Sequence, residues 1–122
     1  SIIEGKRLSF ANALKFRHND MDNLEHVLQK CPIEAAKLIV VDGVFSMEGD
    51  IVKLPDLVKI ADRYNASVMV DEAHGLGVLG NKGRGTCDHF GIVDKVDIIM
   101  GTYQENKANN TFNVFKSLIL FK

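Results

Sequence analysis

A chain of 122 residues, 46% hydrophobic and 25% charged with a mean hydropathy near zero, has room for one hydrophobic core and has neither a disordered, a collagenous nor a membrane-spanning composition. Fifteen Lys and Arg against sixteen Asp and Glu leave a net charge of −1, which removes any global electrostatic reason to bind nucleic acid or an anionic bilayer. Two cysteines, Cys31 and Cys87, are too few for a disulfide framework and lack C-x-x-C spacing, so a reducing, cytoplasmic setting is expected.

The opening Ser1-Ile2-Ile3-Glu4-Gly5 has no methionine and no long apolar run of a secretory signal, a start compatible with an internal fragment. Met21, Leu24, Val27, Leu28 and Cys31 repeat at helical spacing, Asp20 is placed to accept hydrogen bonds from the first free N–H groups, and Pro32 stops the run. Residues 37–44 form a short, β-branched apolar run that predicts a strand buried on both faces. Asp42 to Asp50 reads as a turn with two glycines, a hydroxyl and several carboxylates. Leu54, Leu57, Val58, Ala61 and Tyr64 predict an amphipathic helix with Pro55 in its first turn. Residues 68–71 predict a second strand and residues 96–102 a third. Beyond Tyr103 the texture changes to a polar, asparagine-rich stretch and then an apolar run from Phe112 to Phe121, whose period fits helix and strand equally and whose apolar face needs a partner.

Alternating strands and helices predict an α/β fold with a mostly parallel sheet and flanking helices, and such sheets bind ligands at the carboxyl ends of their strands. Those ends deliver Ser46, Asp71 with His74, and Thr102 to one rim. Hydroxyls, a carboxylate, an imidazole and exposed backbone N–H groups suit a phosphorylated, protonatable ring.

Four motifs in order, Phe16-Arg17-His18-Asn19-Asp20-Met21, residues 41–50, residues 70–80 and Gly83-Arg84-Gly85, resemble the α-oxoamine synthases: glycine C-acetyltransferase, 8-amino-7-oxononanoate synthase, 5-aminolevulinate synthase and serine palmitoyltransferase. The resemblance covers residues 1–102 and implies a slice of the large domain of the aspartate-aminotransferase fold, leaving 103–122 as a divergent tail. It also implies pyridoxal 5'-phosphate as cofactor, amino-acid and acyl-CoA substrates, a homodimer, and condensation to an aminoketone with loss of CoA. By position, Asp71 resembles the carboxylate that pairs with the cofactor's ring nitrogen, keeping the pyridine protonated and able to accept electrons. His74 and Ser46 resemble groups near the phenolic oxygen, Thr102 one that reaches the phosphate, and Asp42 a supporting carboxylate.

The pattern breaks where it matters most for catalysis. Family members carry the Schiff-base lysine shortly after the Gly-Thr of the third strand, but Gly101-Thr102-Tyr103-Gln104 is followed by Glu105, which cannot condense with an aldehyde, and Lys107 comes two residues late. The family's ring-stacking histidine and its small C-terminal domain with the carboxylate-binding arginine fall outside this sequence, so the chain alone is expected to be inactive.

Competing readings exist. Asp71 and His74 also suit a capped turn, and Ser46 and Thr102 an ordinary turn hydroxyl and strand end. His18, His26 and His89 lack metal-ligand spacing, so no metal is expected. Lys82 and Arg84 can face an anionic CoA or simply water. Asp71-Glu72-Ala73-His74 is spelled like a helicase magnesium box, but no G-x-x-x-x-G-K-[ST] loop accompanies it. A third alternative is a non-catalytic partner subunit of an α-oxoamine synthase.

Overall fold

A computed structural model describes residues 12–101 and 117–121. Its centre is the parallel pair β2 (Lys37–Asp42) and β5 (Ala66–Asp71), in register from Lys37 opposite Ala66 to Asp42 opposite Asp71. Both are rich in β-branched residues, and β2 is buried along almost its whole length, as a strand covered on two sides should be. On one face Ile39, Val41, Val68 and Val70 meet α1 (Met21–Gln29) and α2 (Leu54–Arg63), which contribute Leu24, Val27, Leu28, Leu54, Leu57, Val58, Ile60 and Ala61 to a single apolar cluster. On the opposite face Val40 is buried while Leu38 and Met69 stay partly accessible.

The helices form where spacing and end signals agree. Asp20 caps α1, its carboxylate accepting the Asn23 N–H at 2.9 Å. Pro55 sits within the first two positions of α2, where its missing N–H costs nothing. The helices are tied side by side by Arg63 on Glu25 at 2.9 Å and by the Tyr64 hydroxyl, which donates to Glu25 and accepts from Gln29.

The sheet order is β1-β7-β2-β5-β6, with β1 at Asn12–Lys15, β6 at Ile98–Met100 and β7 at Ser117–Phe121. Strands β2, β5 and β6 are parallel, whereas β7 runs antiparallel to both of its neighbours, β1 and β2. The apolar run ending at Phe121 therefore does find a partner: Ile119 is fully buried between Leu14 and Ile39.

Several expectations are corrected. The first strand ends at Asp42 rather than Val44: the Gly43 N–H still reaches the Asp71 carbonyl at 2.8 Å, but Val44 leaves the sheet to pair with Ile51. The supposed turn at 42–50 holds a small hairpin, β3 (Val44–Phe45) with β4 (Asp50–Ile51). The third strand starts at Ile98, since the Asp97 carboxylate accepts the Val68 N–H at 2.7 Å and so takes the donor that a longer ladder would use. It is also an edge strand, and Ile98 and Ile99 remain 46% and 42% exposed.

Candidate active site

The carboxyl ends of β2, β5 and β6 come together because the ladder aligns Asp42 with Asp71 and Asp71 with Met100. Asp42 and Asp71 are each only 9% exposed, and their paired positions on adjacent strands put the two side chains on the same face. Asp71 accepts the Ala73 N–H at Oδ1, 2.9 Å away, an Asx turn that orients its carboxylate as the strand ends. His74 lies exposed on the following turn, closed by the Gly75 and Leu76 N–H groups on the Glu72 carbonyl at 3.0 Å each.

Ser46 sits exposed at the tip of the β3–β4 hairpin, which leaves the same end of β2. The hairpin is held by His18, whose ring meets Phe45 edge-on at 4.3 Å and whose Nε2 lies 2.9 Å from Asp50 Oδ2. Asn19 adds a bond from its amide to the Ile51 carbonyl. Burial would raise the Asp50 carboxyl, but hydrogen bonds from His18 and Asn19, with the His18 charge, hold it below its usual value. Among the described residues no hydrogen bond joins Ser46 to Asp71 or His74. Thr102, Glu105 and Lys107 lie outside the described residues.

Beneath this rim is a group that motif reading passed over. Glu72 is fully buried, and its Oε1 accepts the Cys87 N–H at 2.9 Å in the short helix α3 (Thr86–His89). Its Oε2 and the Thr86 Oγ1 are buried without a hydrogen-bond partner. Three glycines make room for this carboxylate. A Cβ on Gly43 would lie 2.9 Å from Glu72 Oε2 and 2.6 Å from Thr86 Oγ1, one on Gly75 would overlap Glu72 Oε2, and one on Gly85 would lie 2.9 Å from Glu72 Cδ. The three glycines lie in three separate motifs of the sequence, and only the fold brings them together around Glu72.

Burial, and then the hydrogen bond and charge of the neighbouring Glu72, push the Cys87 thiol up to about 12. Cys31 is likewise buried and raised, with Lys37 opposing. Both cysteines are therefore small apolar side chains here rather than nucleophiles. Lys82 and Arg84 are exposed on the loop closed by the Gly77 N–H on the Gly83 carbonyl, where Gly83 has φ +72° and a Cβ would meet the Gly77 backbone at 2.8 Å. A polar cavity of about 370 Å³ lies at the other end of β5, by Ala66, Asp94 and Asp97, away from all these residues.

A mostly parallel sheet that gathers two carboxylates, an imidazole and glycine-rich turns at the carboxyl ends of its strands defines an α/β domain with a ligand site at that rim. The chain belongs to the aminotransferase class I and II family, which it matches over residues 1–104. It is 59% identical over 109 residues to a serine palmitoyltransferase of Bacteroides ovatus, covering 89% of this chain and 28% of that protein. It is 56% identical over 103 residues to an 8-amino-7-oxononanoate synthase of Alkaliphilus metalliredigens, covering 84% and 26%. A solved serine palmitoyltransferase from S. paucimobilis with bound PLP–myriocin aldimine superposes with a TM-score of 0.70 at 36% identity, over 86% of this chain and 26% of that one. The chain thus spans little more than a quarter of the length of these relatives and represents a partial region of their fold.

Proposed function

We propose that this chain forms the part of a pyridoxal-phosphate-dependent α-oxoamine synthase that grips the ring edge of the coenzyme. The whole protein would join glycine or serine to an acyl-CoA, with loss of CoA, in the cytoplasm and as a homodimer. The observation that carries the reading is the placement of Asp71: buried, oriented by the Ala73 N–H, and beside Asp42 at the carboxyl end of the central strands.

These residues fit the group. Two neighbouring carboxylates favour positive charge at the rim, which suits a protonated pyridine nitrogen. Asp71 would hold that nitrogen, with Asp42 adding to the local negative potential. His74 would contact the phenolic oxygen and help to orient the acyl-transfer step; Ser46 would approach the same oxygen from its hairpin, and Thr102 would bind the phosphate. When bound, pyridoxal phosphate supplies an electron sink for charge developing at the substrate's α-carbon.

With Glu105 at the family's lysine position, the chain should hold the coenzyme without a covalent bond. Titrating the whole chain with pyridoxal phosphate should give saturable binding by absorbance, and Asp71→Asn should weaken it about tenfold through loss of a charge-assisted hydrogen bond. Absence of saturable binding, or an unchanged affinity in Asp71→Asn, defeats the proposal. Borohydride added to the mixture should leave neither Glu105 nor Lys107 labelled. The same Glu105 favours a second reading, a non-catalytic partner subunit, which co-purification with a lysine-bearing homologue would support.

A further inference from the structure

We propose that Glu72 is a positioning residue of this rim: its buried carboxylate, held at Oε1 by the Cys87 N–H and packed at Oε2 beside the Thr86 hydroxyl, fixes the turn that presents Asp71 and His74. The inference rests on the reading of the rim as a coenzyme site, and it starts from the number of ties that converge on one residue. The Glu72 N–H donates to the Met100 carbonyl at 2.7 Å and continues the ladder past Asp71. Its carbonyl accepts two N–H groups and closes the turn on which His74 stands. Its side chain crosses to α3. A shift of Glu72 therefore moves the groups on either side of it.

The two unpartnered oxygens locate the missing half of the arrangement. Glu72 Oε2 and Thr86 Oγ1 both lie within 3 Å of the point that a Cβ on Gly43 would occupy, and both press on Gly75. A buried polar atom left without a partner is costly, so a small side-chain shift that lets the Thr86 hydroxyl donate to Glu72 Oε2 would satisfy both atoms at once. The carboxylate thus lies where the loop after β2, at Gly43, the turn after β5, at Gly75, and the Gly85–Thr86 segment approach one another. A purely space-filling side chain would make neither the bond to the Cys87 N–H nor one to the Thr86 hydroxyl.

The distinction is testable in the full chain with two substitutions of similar size. Glu72→Gln keeps an acceptor for the Cys87 N–H and gains a donor for the Thr86 hydroxyl, whereas Glu72→Met keeps the volume and loses both bonds. In NMR spectra, Glu72→Gln should retain the Ala73 amide and His74 ring resonances of the native protein. Glu72→Met should shift and broaden them while leaving His18 and His26 unaffected. Thr86→Val, which removes only the hydroxyl, should disturb the same two signals and provides the readout if the Met variant does not fold. Pyridoxal phosphate affinity should stay within about threefold for Gln and fall at least about tenfold for Met. If Glu72→Met or Thr86→Val leaves the Ala73 and His74 signals native, Glu72 is packing material and the proposal is overturned. If the native chain binds no pyridoxal phosphate, the coenzyme reading fails while the resonances still decide the role of Glu72.

Discussion

Cys87 couples the buried carboxylate to the response of the fold to alkali. An unfolded thiol ionises near 9.0, and in the fold burial and Glu72 hold it to about 12. Between those values the unfolded chain releases the proton first, so stability is intact below pH 9 and declines as pH climbs through the window, by up to roughly 4 kcal/mol. Urea titrations across this range should show that slope, and Cys87→Ala should flatten it. Asp50 works with the opposite sign. Its carboxyl is lowered by His18 and Asn19, so its contribution is present above the ordinary carboxylate range and disappears in acid; at 43% exposure, solvent screening keeps that contribution below about 1 kcal/mol. The position of Asp71 and His74 at a strand end was legible because the apolar run of β5 closes on Asp71, whereas the roles expected of them rested on the resemblance of four ordered motifs. Glu72 was not legible, because a carboxylate in a loop reads as solvated and only the spatial convergence of Gly43, Gly75 and Gly85 reveals that it is enclosed.

The two long helices and the central strands were legible from period and end signals, and Asp20 gives a direct check. Asp20→Ala should cost about 1 kcal/mol, seen as a lower urea midpoint with an unchanged slope. The β3–β4 hairpin escaped because two-residue strands have no period, and β1 escaped because its sheet partner among the described residues is a segment about a hundred residues away. β7 was ambiguous for the same reason: SLILF is apolar on both faces and declares itself only when paired. With Ile119 fully buried, Ile119→Asp should cost about 3–5 kcal/mol and lower the thermal midpoint sharply; a variant as stable as the native chain would show that β7 contributes nothing to the sheet.

At the scale of the whole molecule, β1 and β6 are the outer strands of the sheet among the described residues. The latter presents Ile98 and Ile99, 46% and 42% exposed, on an outer strand, a template for pairing with another chain. The protein expressed alone should self-associate as its concentration rises, and Ile99→Lys should suppress this in sedimentation experiments without lowering the melting temperature. The placement of β7 also governs the order of events during synthesis. The pairing of β2 with β5 spans about thirty residues and can form early, but Asn12–Lys15 pairs, among the described residues, with Ser117–Phe121, a contact that closes a far longer loop. A folding chain would therefore leave Asn12–Lys15 open to proteases for longer than the central strands, until a segment about a hundred residues further on had docked.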